Sequence, residues 1–352
     1  MALLDLLAIE LPIIQAPMAG VSSPTMAAAV AEAGALGSIG VGNTDAGNAQ
    51  RMIEAVRQRS ARSLNVNVFC HQPARLDPAI DSAWIQHLQP YFQRFGAEPP
   101  APLREIYRSF LVDDEMLALL VRTRPRVVSF HFGVPAAERV RALRDAGIVL
   151  LASATTLGEA RAAVAAGVHA IVAQGYEAGG HRGVVDPAAP DEALSTSVLT
   201  RLLVRELPIP VIAAGGIMDG AGIAAVLRLG ASAAQLGTAF VGCRESDADS
   251  YFREALASAA AHHTVMTRAI SGRPARCLSN AFTALGENVE PRRIPSYPVA
   301  YDAGKALNQA AKAAGNGGFG AQWAGQGAPL ARIGLSAAEL VACLAQELRA
   351  AL

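Results

Sequence analysis

PVIAAGGIMDGAGIAAVLRLGASAAQLGTAF, Pro210 to Phe240, holds one whole unit of the fold. Val211 to Ala214 is a short run with apolar residues on both faces, so a strand drawn through it must be covered on both sides, as parallel strands are. Two glycines break the run. GAGIAAVLRLG then repeats apolar residues at helical spacing and ends on Gly230, where a left-handed cap closes a helix. A second apolar run, AAQLGTAF, starts at Ala233. Strand, helix and strand in this order read as a βαβ unit with parallel strands.

The same rhythm extends outward through the chain. Counting PVIAAGG (210–216) and AAQLGTAF (233–240), eight such runs appear. The others are PIIQAPM (12–18), LGSIGVG (36–42), SLNVNVF (63–69), RVVSFHFG (126–133), IVLLASA (148–154) and AIVAQG (170–175). Ala-rich helical patterns such as PTMAAAVAEAG, AAERVRALRDAG and LGEARAAVAAG separate them. Eight β-α units predict an α/β chain of the (β/α)8 TIM barrel type, whose active site lies at the C-terminal strand ends. A doubly wound sheet would carry fewer strands and a dinucleotide fingerprint after the first. Here the nearest candidate, GVG (40–42), continues with Asn-Thr-Asp and lacks the spacing of GxGxxG.

Two stretches break the alternation and predict a second, smaller substrate or cap domain formed by insertions. The expected division is a barrel over 1–70 and 111–263, a cap from 71–110 and 264–326, and a C-terminal helix over 327–352 returning to the barrel.

Composition narrows the function. Of 352 residues, 52% are hydrophobic and 17% charged, which favours a large packed core over disorder. Net charge is zero, which argues against a nucleic acid or an anionic membrane as partner, because both need clustered basic residues. Lys305 and Lys312 are the only lysines, so a mechanism that needs one must use one of them. Cys70, Cys243, Cys277 and Cys343 are far apart and form no CxxC pair, so no metal site is expected. MALLDLLAIELP has no basic region ahead of its apolar residues, and no apolar run approaches the ~20 residues of a membrane span, so the expected location is the cytoplasm.

The polar residues worth weighing sit at strand ends. QAPMAG ends the first run and offers backbone with little side-chain bulk. Asn65 and Asn67 lie on the third, where burial would oblige each to find a partner. Gln174 ends the sixth and leads into YEAGGHRG (176–183). The glycine pair after the seventh run, with Gly237 and Thr238 after the eighth, occupies the place where such barrels bind phosphate through backbone N–H groups. His181, directly after two glycines, suits a ligand better than a core. His131 in SFHFG reads equally as a core histidine bonded to backbone. His71, His87, His169, His262 and His263 read as surface or packing residues. Tyr297, Tyr301 and Lys305 follow the i, i+4, i+8 spacing of one helix face, although Pro298 disturbs its start.

Taken together, QAPMAG, AQGYEAGGHRG, PVIAAGGI and AAQLGTAF resemble the FMN-dependent nitronate monooxygenases, formerly called 2-nitropropane dioxygenases, along essentially the whole chain. SYPVAYDAGKALNQAAK, with Tyr107 in REIYRSF and His131 in SFHFG, resembles the class I members. The resemblance implies FMN as cofactor, contacted by Asn67, Gln174, Gly179, Gly180, Gly215, Gly216, Gln235, Leu236, Gly237 and Thr238, with the backbone of Pro17, Met18, Ala19 and Gly20 beside the flavin ring. It implies His181 as the catalytic histidine and a substrate pocket lined by Tyr107, His131, Tyr251, Tyr297, Tyr301 and Lys305. The implied reaction oxidises an alkyl nitronate, propionate 3-nitronate being the expected substrate, with O2 through a flavin semiquinone to a carbonyl compound and nitrite. His181 either takes a proton from carbon or, charged, pairs with the nitronate. The chain is expected as a monomer or homodimer. The alternative is an FMN-dependent enoyl-ACP reductase using NAD(P)H, which shares the glycine loops; a phosphate-binding barrel without redox chemistry stands third.

Overall fold

The computed structural model describes residues 2–352. Its strands are β1 (Ile13–Gln15), β2 (Gly37–Gly40), β3 (Leu64–Phe69), β4 (Val127–His131), β5 (Val149–Ala154), β6 (Ala170–Gln174), β7 (Gly180–His181), β8 (Val211–Ala214), β9 (Ala233–Leu236), β10 (Thr264–Thr267) and β11 (Ala275–Leu278). Eight of them form one parallel sheet in the order β1-β9-β8-β6-β5-β4-β3-β2. Leu36 joins the two ends: its N–H donates to the Ile13 carbonyl at 3.0 Å, and its carbonyl accepts from Gln15 N–H at 2.9 Å. The eight expected strands are therefore present, and the architecture is the expected (β/α)8 barrel.

Local chemistry explains the element ends. Asp219 accepts from Gly222 N–H and so caps the helix Gly220–Arg228, while Thr156 does the same for Leu157–Ala166, which stops at Gly167 with φ of +96°. The strands are shorter than the sequence runs, most of all in the first and the last. β1 stops at Gln15, and the last run turns at Gly237 into a short helix, Thr238–Val241. Both departures put backbone N–H groups at the barrel mouth, where continued strands would have paired them.

Inside the barrel, Ile14, Leu36, Leu151, Val172 and Ile212 pack with Leu3 and Leu7 of the helix Leu3–Leu7. Polar residues on core strands are tied to one another. Ser38 N–H donates to Gln15 Oε1 at 2.8 Å, Asn65 Nδ2 donates to Ser38 Oγ, and Asn67 Nδ2 donates to the Ser129 carbonyl and hydroxyl, each at 3.0 Å. Outside, Leu340, Val341, Leu344 and Leu348 of the helix Ala337–Ala351 pack with Met26, Val30, Ile223 and Phe240.

The two interrupting stretches share one hydrophobic cluster, in which Trp84, Leu88, Phe92 and Leu103 meet Ile270, Phe282, Leu307 and Phe319. The stretch YEAGGHRG is not wholly a loop. Its Gly180 and His181 form β7 and pair antiparallel with β11, Ala275 opposite His181 and Arg276 opposite Gly180, giving a small sheet ordered β10-β11-β7.

Candidate active site

At the C-terminal ends of the barrel strands lies a cleft with about 1370 Å³ of non-atom space, part of it open to solvent. Most residues singled out from sequence meet there: Pro17, Met18 and Ala19 after β1; Asn67 on β3; His131 at the end of β4; and Gln174 at the end of β6. They are joined by Gly179, Gly180 and His181, by Gly215 and Gly216 after β8, and by Gln235, Gly237 and Thr238 at β9. Tyr107, Tyr297 and Tyr301 complete the wall from the two inserted stretches.

Four residues are placed otherwise. Gly20 is exposed in the bend after Met18, with φ of +79°, and serves the turn. Leu236 sends its side chain into the core between barrel and outer helices, while its carbonyl accepts from Ala16 N–H. Tyr251 lies on the helix Ser250–Leu256 with its ring directly beneath Gly317, where any Cβ would strike it; it packs there and does not line the cleft. Lys305 is exposed, one helical turn beyond Tyr301, and donates from Nζ to Tyr107 Oη at 3.1 Å, so it stands behind a wall residue. The expected single helix face also breaks. The helix begins at Val299, so Tyr297 precedes it and enters the cleft from the Ser296–Pro298 turn.

The sequence reading missed several lining residues: Ser129, Ser153, Met218 and Trp323. The serines carried a signal as polar residues on strands buried on both faces. Trp323 carried none that periodicity could supply.

His181 is enclosed by rings. Its centroid lies 5.1 Å from Trp323, 5.4 Å from Tyr297, 5.7 Å from Phe132 and 6.1 Å from Tyr301. Nε2 lies 2.9 Å from Ser271 Oγ, which fixes the ring plane. Burial, with lesser contributions from His131, Arg273 and His71, pushes its pKa down to about 3. The imidazole is therefore neutral at physiological pH.

His131 supports it from behind. Its Nε2 is 3.2 Å from the His181 carbonyl and its Nδ1 2.7 Å from Ser153 Oγ. A carbonyl only accepts, so Nε2 carries the proton and Nδ1 takes the Ser153 hydroxyl's hydrogen. Burial lowers this pKa to about 4 against the raising effect of the His181 carbonyl, so this tautomer is the resting form. Gln174 Nε2 donates to the same carbonyl at 2.9 Å, and Gln174 Oε1 accepts from Gly183 N–H at 2.7 Å.

Arg182, wholly buried, locks the segment to β6. It holds Asp191 through two bonds of 2.7 and 2.9 Å and donates to the carbonyls of Gln174 and Gly175, each at 3.0 Å. Burial alone would raise the Asp191 carboxyl, but this pairing, with a bond from the Ala193 N–H, outweighs it and holds the group below its ordinary value. The tyrosines shift the other way. Burial raises Tyr107 to about 12 and drives Tyr297 and Tyr301 well above the usual phenol range, so all three stay neutral donors.

Tyr297 Oη is buried without a partner among the described residues. Tyr297→Phe should therefore change stability by no more than about 1 kcal/mol in a urea titration, since no bond within the protein is lost. A loss of several kcal/mol would show that the hydroxyl already has a structural partner.

The donor set fits a flavin mononucleotide. Gly216, at φ of +69°, and Gly237 present N–H groups that donate to no acceptor among the described residues, and both line the cleft. Backbone N–H groups of this kind can hold a phosphate without a lysine. A Cβ at Gly179 would clash with the Gly325 nitrogen, so glycine is needed for the two segments to close this end of the cleft.

The comparisons with known proteins agree with this geometry. The family described as nitronate monooxygenase matches residues 1–347. A protein named nitronate monooxygenase from Paraburkholderia phytofirmans is 59% identical over 348 residues, covering 99% of this chain and 95% of that one. Another of that name from Pseudomonas aeruginosa is 54% identical over 346 residues, covering 98% of each. The crystal structure of nitroalkane oxidase from Streptomyces ansochromogenes superposes with a TM-score of 0.91 at 42% identity, covering 100% of this chain and 99% of that one. FabK from Thermotoga maritima follows with a TM-score of 0.75 at 29% identity, covering 99% and 95%. A match along almost the full length, with relatives above half identity, places this chain in the nitronate monooxygenase family.

Proposed function

We propose that the protein is an FMN-dependent monooxygenase that oxidises alkyl nitronates, propionate 3-nitronate among them, with O2 to a carbonyl compound and nitrite. The observation that carries this reading is a neutral, ring-enclosed His181 in the same cleft as unpaired backbone N–H groups after β8 and β9. Asn67, Gln174, Gln235 and Thr238, with the glycines and the Pro17–Ala19 backbone, would hold the flavin. When bound, FMN supplies the redox chemistry between nitronate and O2.

The chain's own residues do the rest. His181 takes a proton from carbon when the substrate arrives as a nitroalkane, and the resulting imidazolium pairs with the nitronate it has produced. Phe132, Tyr297, Tyr301 and Trp323 keep water from that pair. Lys305 donates to Tyr107 Oη from outside the cleft and so holds that wall tyrosine in place. We assign the barrel to 1–70 and 111–263 and the substrate-side cap to 71–110 and 264–326, which matches their shared hydrophobic cluster.

Purified protein should be yellow, release FMN on denaturation and consume O2 with propionate 3-nitronate in the absence of NAD(P)H. Reduction by NADH coupled to enoyl-thioester turnover, with no oxygen uptake on nitronates, would overturn the reading in favour of the reductase.

A further inference from the structure

Arg273 is 3% exposed. Its side chain makes one hydrogen bond among the described residues, from Nη2 to the Val184 carbonyl, and its Nε has no partner. A buried guanidinium without a carboxylate is costly to keep. It lies over the Phe132 ring, 4.2 Å from the centroid, and Phe132 in turn packs edge-on to His181 at 5.7 Å. Guanidinium and imidazole are thus no more than about 10 Å apart, each packed on the Phe132 ring. Phe132 holds this place at φ of +72°, a conformation disfavoured for a side chain of its size, at the end of the strand that carries His131.

The charges facing this stack are few. Around Arg273 stand Tyr297, Arg268, Glu159 and Asp186. Glu159 is engaged by Thr155 and by Val185 N–H, Arg268 donates to the Pro187 carbonyl, and Asp186 is exposed. On the other side stand His131, His71 and the tyrosines, neutral by burial. Arg273 is the fixed charge that acts on His181, while the neighbouring Arg182, which also acts on His131, is paired with Asp191.

We propose that Arg273 is a positioning residue, a fixed positive charge behind the Phe132 ring that makes the cleft select an anionic ligand over its neutral isostere. The substrate so selected would be the nitronate in place of its parent nitroalkane, a step that rests on the proposed function. The same charge opposes protonation of His181, in keeping with the direction in which that histidine is displaced. At an effective dielectric constant of about 20, a unit charge at this distance changes anion affinity on the order of tenfold.

Acetate and acetamide, equal in shape and different in charge, test this without turnover. Calorimetric titration of the purified flavin-loaded protein should show acetate binding on the order of tenfold more tightly than acetamide at neutral pH, in wild type and equally in Lys305→Met. Arg273→Met should abolish the preference by weakening acetate alone and should raise the pH at which His181 protonates, read by NMR of 15N-labelled histidine; Arg273→Lys should keep both properties. Equal affinity for the two ligands in wild type overturns the proposal even if Arg273→Met does not fold, as does loss of the preference in Lys305→Met or equal weakening of both ligands in Arg273→Met. The assay is separate from the proposed reaction: failed nitronate turnover with an intact acetate preference rejects the function alone.

Discussion

His181→Asn should retain its FMN and lose turnover of neutral nitroalkanes by a factor on the order of 10² to 10⁴, the usual contribution of a general base, while turnover of the matching nitronates falls by less than about tenfold. The nitroalkane must surrender a proton from carbon; the nitronate has already lost it. Base and anion-holder are successive states of one imidazole. A pKa of about 3, set first by burial and then by His131, Arg273 and His71, describes the ring with no anion beside it. Proton transfer creates cation and anion together inside a ring-lined space, where each offsets the other's loss of water. The imidazolium is therefore costly alone and stable only next to the nitronate. Oxygen uptake with nitroethane and with ethyl nitronate, at equal FMN content, separates the steps. Equal losses on both substrates would assign His181 to anion binding or to packing.

The parts of this site that sequence makes legible are those fixed by local chemistry. Each barrel strand is apolar on both faces because helices cover one and the barrel interior the other, so Val211 to Ala214 declares itself without any knowledge of its neighbours. His181 declares itself through Gly179 and Gly180, because backbone so bare seldom serves a core. Residues brought in from a distance are silent. Ser271, Arg273 and Trp323 approach His181 only because β11 pairs with a two-residue strand, Gly180–His181, too short for any periodicity to reveal. Tyr251 shows the opposite error: a tyrosine at a family-matched position is held by packing over Gly317. Lys305 keeps its helical spacing from Tyr301 but stays outside, because the cleft side of that turn is already filled by Tyr301 and Tyr107.

Acidification should cost the fold more than any single substitution considered above. His71, His131 and His181 have native pKa values of about 4, 4 and 3, each lowered mainly by burial, against about 6.5 in the unfolded chain. A lowered histidine value means that below pH ~6.5 the unfolded state binds more protons than the native one, so stability is fullest above that pH and falls as pH drops toward the native values. Each group then contributes a slope of about 1.4 kcal/mol per pH unit, and the three together about 4 kcal/mol per unit. Asp191, held below its ordinary value, adds loss at lower pH, whereas Asp81 and Asp247, raised by burial, oppose it weakly because both are largely solvated. Set against a usual total of about 5–15 kcal/mol, the histidine slope alone should bring cooperative unfolding between about pH 4 and 5. Far-UV circular dichroism against pH locates the midpoint, and urea titrations at pH 7, 6 and 5 measure the slope. His71→Phe, which keeps a ring against Tyr297, should remove about a third of that slope and move the midpoint to lower pH. Urea stability that stays level from pH 7 to pH 5 would show that these histidines already carry their protons in the native state, and the neutral base assigned to His181 would fall with it.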